Sequence, residues 1–149
     1  MTYSGSLRSL EILIVEDSLT DAKLLAKAFA QISPAANLTI LRDGESAIEF
    51  FLQAETSSEN LLPDLILLDL HLPKKDGLAV LRKLKSRERI ASIPVIMLTA
   101  SGSQADITRC YKEEANCYLV KPTSLAEFEQ VVQSLQDFWL QMVKLPFAP

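Results

Sequence analysis

Four short apolar runs punctuate this chain, and each stops at a polar side chain of strong chemistry. Leu10 to Val15 runs into Glu16 and Asp17, Leu65 to Leu68 into Asp69, Pro94 to Leu98 into Thr99, and Cys117 to Val120 into Lys121 and Pro122. Continuous Val/Ile/Leu runs bounded by turn formers read as strands covered on both faces, the pattern of a parallel sheet. Between them lie segments of helical period. Ala22, Leu25, Ala26 and Phe29 share one face behind a cap at Ser18 or Asp17, and Ser33-Pro34 ends that helix. Asn37 to Leu41 predicts a second strand, Ser46 to Gln53 a second helix, and the polar stretch Ala54 to Asn60 a surface loop. A loop marked by Pro73 and Gly77 leads into a third helix with Val80, Leu81 and Leu84 inward. Ser103 to Glu113 and Ser124 to Val143 predict a fourth and a fifth. This βαβα rhythm predicts an α/β fold, five parallel strands with five helices on both faces. Ligands of such sheets bind beyond the carboxyl ends of the strands, so the polar ends are expected at one edge.

Composition narrows the function classes. With 149 residues, 48% hydrophobic and 23% charged, the chain fits one domain able to bury a core. A net charge of −4 without a basic cluster argues against nucleic acid or an anionic membrane as partner. No apolar stretch approaches the roughly 20 residues a bilayer requires, and no signal-peptide pattern opens the chain, so a cytoplasmic protein is expected. Cys110 and Cys117 sit in no CxxC or Cys/His cluster and read as small core residues.

The chemistry follows from bringing Glu16, Asp17, Asp69 and Lys121 together. Three adjacent carboxylates resist ionisation unless a cation joins them, and hard oxygen ligands suit Mg²⁺. Asp69 ends a middle strand beside a loop and is the best placed nucleophile toward phosphorus, an attack that yields an aspartyl phosphate. Lys121 would meet a phosphoryl oxygen as a point charge, and the Thr99 hydroxyl would bond another. Taken singly, Asp17 and Lys121 could be a plain ion pair, Thr99 a routine strand residue, Tyr118 an ordinary strand aromatic, and His71 a surface imidazole. Four convergent strand ends weigh against that reading.

These residues resemble the receiver domain of two-component response regulators. The pieces are Glu16-Asp17, the segment Pro63 to Leu70 followed by Leu72-Pro73 and Asp76-Gly77, then Leu98-Thr99-Ala100 and Lys121-Pro122. The resemblance implies a flavodoxin-like, doubly wound sheet of order 2-1-3-4-5, with a tail over residues 1–9, a receiver over 10–143 and a C-terminal tail over 144–149. It implies that Asp69 accepts a phosphoryl group from a histidine kinase, and that Glu16, Asp17, Asp69 and the backbone carbonyl of His71 hold Mg²⁺. Thr99 and Tyr118 correspond to the family's switch pair, and a cis Lys121-Pro122 peptide is implied. The protein would be a phosphoacceptor, not an enzyme beyond its own Mg²⁺-dependent phosphotransfer and dephosphorylation. The alternatives are an interaction module of the same fold that never takes phosphate, a flavin carrier and an Asp-x-Asp phosphatase. Glu16-Asp17 would repel a flavin phosphate, and Glu16-Asp17-Ser18 lacks the phosphatase pattern.

The end of the chain carries a narrower resemblance. Asp137-Phe138-Trp139-Leu140, Val143 to Pro146, Ala148-Pro149, Asn116 to Leu119 and Leu72 to Gly77 are similar to the single-domain regulators that partner cyanobacterial phytochromes, some of them homodimers. A phytochrome-type histidine kinase partner is thereby implied. In the fifth helix Leu125, Phe128, Val132, Leu135, Trp139 and Met142 form one apolar seam, with Val131, Phe138 and Leu145 outside it. A homodimer burying Phe138, Trp139, Leu145 and Phe147 would cover that second face, unless the tail folds back on its own domain. Too few residues follow Val143 to fold separately, so the signal is expected to leave by protein contact.

Overall fold

Each strand divides its side chains between two cores, which is why the runs are apolar without alternation. In the computed structural model, which describes residues 10–57 and 62–146, the strands are β1 Glu11–Val15, β2 Asn37–Leu41, β3 Leu65–Leu68, β4 Val95–Thr99 and β5 Cys117–Val120. They form one parallel sheet in the order β2-β1-β3-β4-β5, as expected. Leu13, Val15, Ile66, Leu68, Val95 and Met97 face one layer, and Ile12, Ile14, Leu65, Leu67, Ile96 and Leu98 the other.

The described residues form six α-helices where the sequence pattern predicts five. They are α1 Leu19–Ile32, α2 Gly44–Thr56, α3 Gly77–Ser86, α4 Glu88–Ala91, α5 Gln104–Lys112 and α6 Leu125–Leu135. The extra one, α4, is a single turn, too short to show a period, and it buries Ile90. α1 and α6 cover one face with Leu25, Ala28, Phe29, Phe128, Val132 and Leu135, while α2, α3 and α5 cover the other. Ser18 caps α1, accepting from the Asp21 N–H at 3.2 Å, and Asp43, Asp76, Ser103 and Ser124 cap α2, α3, α5 and α6 in the same way. Helix α2 runs past the expected loop start at Ala54, because Ala47, Phe51 and Ala54 keep helical spacing and all three are buried.

The last helix departs most from its pattern. After Leu135 the chain widens into a π-helical turn, Gln136–Leu140, with the Ser33 hydroxyl donating to Gln136 Oε1 at 2.5 Å. A π turn inserts residues relative to α-helical spacing, so the seam loses register. Phe128, Val132 and Leu135 stay buried and Trp139 packs at the edge of their cluster, while Met142 ends 70% exposed.

Candidate functional site

The carboxyl ends of β1, β3, β4 and β5 bring the expected residues to one edge. Backbone bonds fix them there: the Glu16 N–H donates to Leu41 O at 2.9 Å, that of Asp69 to Val15 O at 3.0 Å, and that of Lys121 to Thr99 O at 2.7 Å. Arg42 donates to the Asp17 carbonyl at 2.6 Å, pinning the start of the β1 to α1 turn.

Lys121 is the hub. Its Nζ lies 2.7 Å from Glu16 Oε1, 2.9 Å from Asp69 Oδ2 and 2.9 Å from Asp21 Oδ2. Three carboxylates thus engage the three N–H donors of one ammonium. Glu16 also accepts the Ser18 N–H at 3.0 Å on its second oxygen, and Asp69 Oδ1 takes the His71 N–H at 3.3 Å. Glu16 is 2% exposed and Asp69 5%. Burial pushes the Glu16 carboxyl up to about 7, opposed by its bond to Lys121 and reinforced by Asp69, and the three carboxylates hold the Lys121 ammonium above its ordinary range.

One carboxylate oxygen from each of Glu16, Asp17 and Asp69 lies within 4.8 Å of the others. Such an all-oxygen group with excess negative charge fits a hard divalent cation rather than a soft one. A second observation points to an anionic guest. Thr99 is fully buried, and its hydroxyl is the one buried side-chain polar atom without a partner among the described residues. Thr99 closes β4 at the sheet edge that also carries Asp69 and Lys121, and an orphaned donor there is costly unless a ligand oxygen completes it.

Tyr118 lies half-buried on β5, its hydroxyl donating to Ser101 O at 2.8 Å, so it is tied to the loop that follows Thr99. Ser101 in turn donates through its side chain to Asp106 at 2.5 Å. Bonds from Ser101 and Arg109 hold the Asp106 carboxyl below its usual range. The His71 ring is exposed and reaches 3.9 Å from Asp106, as expected of a surface imidazole. Both thiols are free, and burial pushes each of them up.

Two expectations are corrected. The Lys121-Pro122 peptide is trans. The isomers of an X-Pro bond differ by only about 0.5–1 kcal/mol, so sequence alone does not choose between them, and here the ammonium reaches all three carboxylates from the trans backbone. Leu145 is 7% exposed within the single chain, which leaves a dimer little of it to bury. Phe138 is 51% exposed, with its ring edge-on to that of Trp139, and Phe147 lies outside the described residues. The sequence pattern gives no sign of Asp21, which at the third position of α1 looks like an ordinary acidic residue in a first turn.

A sheet of this order with carboxylates, a hydroxyl and an ammonium at its carboxyl edge defines a receiver. The chain belongs to the response regulator receiver domain family, which it matches over residues 12–133, and is therefore a response regulator of two-component signalling. It is 41% identical over 137 residues to the response regulator Rcp1 of Synechocystis, covering 92% of this chain and 93% of the relative. The crystal structure of the Mn²⁺-bound form of Rcp1 superposes with a TM-score of 0.81, covering 92% of this chain and 99% of that one. That of the phosphorylated cyanobacterial phytochrome response regulator RcpA, 37% identical, gives 0.83 over 92% and 98%. Among the described residues no helix is long and apolar enough to cross a membrane.

Proposed function

We propose that Asp69 accepts a phosphoryl group from a histidine kinase of the phytochrome type, with Mg²⁺ held by Glu16, Asp17, Asp69 and the His71 carbonyl. The observation that carries this reading is the buried Asp69 carboxylate sharing the Lys121 ammonium, with the unpartnered Thr99 hydroxyl at the same edge of the sheet. The metal when bound would neutralise phosphoryl charge and orient the reacting oxygens. One Asp69 oxygen bonds to phosphorus as the bond to the kinase histidine breaks and its electron pair returns to the imidazole. Lys121 and Thr99 take the phosphoryl oxygens, and water later cleaves the acyl phosphate. The receiver unit runs over residues 10–143 and acts in the cytoplasm. Drawing Thr99 onto the phosphoryl group would let the Tyr118 ring move inward, remodelling the docking surface built by α5, β5 and α6.

Incubation with acetyl phosphate and Mg²⁺ should add one phosphoryl mass to the native chain and none to Asp69→Asn, with the same fold by circular dichroism. Native protein that stays unlabelled would favour the interaction-module reading. We also infer self-association through the π-helical end, where Phe138 and Met142, four residues apart, remain 51% and 70% exposed. Light scattering should give twice the chain mass for the native protein, and a shift toward monomer for Phe138→Glu. A native mass of one chain would reject it.

A further inference from the structure

Of the three carboxylates on Lys121, only Asp21 lies outside the group able to surround a cation. Glu16 and Asp69 must divide their oxygens between that cation and the ammonium, and a divalent charge arriving beside them repels Lys121. Asp21 is not drawn into that competition. Its place on α1 also frees it from the usual duty of its position. An acidic residue at the third helical position commonly reaches back to the N–H of the capping residue, but here the Ser18 N–H is taken by Glu16 at 3.0 Å. The Asp21 side chain, 25% exposed, instead meets an ammonium that is itself 9% exposed.

We propose that Asp21 is a positioning residue for phosphoryl transfer, tethering one N–H of Lys121 while the others turn from Glu16 and Asp69 to the incoming phosphoryl oxygens. This rests on the reading of Asp69 as acceptor and Lys121 as phosphoryl partner. With an acyl phosphate as donor, the Asp69 oxygen-to-phosphorus bond forms as the donor's phosphorus-to-oxygen bond breaks, and the electron pair leaves on the carboxylate released. Asp21 touches none of these atoms. It acts by keeping a flexible four-carbon side chain in register, so its loss lowers the rate of the step and not the binding of the donor.

The test uses the full chain, saturating Mg²⁺ and a range of acetyl phosphate concentrations, read by intact mass. Asp21→Asn should lower the maximal labelling rate roughly tenfold and leave the half-saturating donor concentration within about twofold. Asp21→Glu, which keeps a carboxylate on a longer stem, should recover most of that rate. In the Mg²⁺-loaded protein the Lys121 ammonium should give a proton–nitrogen cross-peak that Asp21→Asn loses to solvent exchange. A native maximal rate in Asp21→Asn, equal slowing in both variants or an undiminished ammonium signal would each overturn the tether. Native protein that takes no label would instead remove the acceptor reading on which the tether stands.

Discussion

Lys121→Met should unfold far more easily than the native chain in chelator at pH 8, and much of the loss should return when Mg²⁺ is added. Methionine keeps an unbranched stem of the same length and removes the ammonium with its charge and donors, leaving Glu16, Asp21 and Asp69 with no cation between them. Removing one partner of a buried pair costs about 3–5 kcal/mol because the other charge stays in the interior. The loss depends on pH. Burial and Asp69 lift the Glu16 carboxyl from 4.5 to about 7 even with Lys121 beside it. Between those values the folded state binds more protons than the unfolded chain, so stability falls as pH rises across that window. Without Lys121, the contact that lowers the Glu16 value is gone. Its proton is then held to higher pH, and the window extends upward. The variant should therefore lose less near pH 5, where a protonated Glu16 needs no partner, and most at pH 8. A cation bound only by the folded state adds about 2.7 kcal/mol at a hundred times its dissociation constant; without the Lys121 charge beside it the site should hold Mg²⁺ more tightly than in the native chain, so millimolar Mg²⁺ should narrow the gap. Urea melts at the two pH values, with and without Mg²⁺, make the comparison. Equal losses at both would show that the ammonium does not serve to neutralise Glu16.

The same electrostatics explain what could be read from residue order. A parallel strand buried on both faces must be apolar throughout, so the first polar residue after each run marks where the strand leaves the sheet. Glu16, Asp69 and Lys121 follow their strands directly and Thr99 closes its own, and their meeting at one edge follows from a sheet whose strands all run the same way. Asp21 obeys no such rule. It sits on a helix, and its aim at Lys121 depends on the entry angle of α1 and on Glu16 already taking the Ser18 N–H. The π turn is equally hidden, since the spacing from Phe128 to Met142 is that of an unbroken helix. Only packing against α1, where Ser33 bonds Gln136, distinguishes the widened backbone. Leu145 falls outside the seam by spacing and yet is buried, because the chain turns after the helix and brings it back.

The loop beside Asp69 carries the other large expected effect, at Gly77. Its N–H donates to Leu70 O at 2.7 Å, so the first residue of α3 lies against the chain leaving β3. A methyl group there would stand 2.1 Å from Asp69 O, 2.7 Å from Leu70 Cα and 2.9 Å from the Asp69 carbonyl carbon, all backbone atoms that no rotamer change can clear. Alanine is worth about 1 kcal/mol over glycine inside a helix, which pulls the other way. Overpacking that must move backbone costs about 1–3 kcal/mol and at times more, so with that offset Gly77→Ala should lose roughly 2 kcal/mol. Gly44 closes the opposite side of the loop, donating to Pro73 O at 3.3 Å, and a methyl added there would stand 1.9 Å from Lys75 O, so Gly44→Ala should behave alike. Gly102 is the control: the nearest atom to an added methyl is Val120 Cγ2 at 3.8 Å, an ordinary contact, and Gly102→Ala should stay within about 0.5 kcal/mol of the native chain. Because the clash at Gly77 falls on the peptide that carries Asp69, whatever Gly77→Ala remains folded should also label more slowly with acetyl phosphate than Gly102→Ala. Urea midpoints rank the three variants. Gly77→Ala as stable as Gly102→Ala would mean that α3 can back away from β3 at no cost, and that the loop does not fix Asp69.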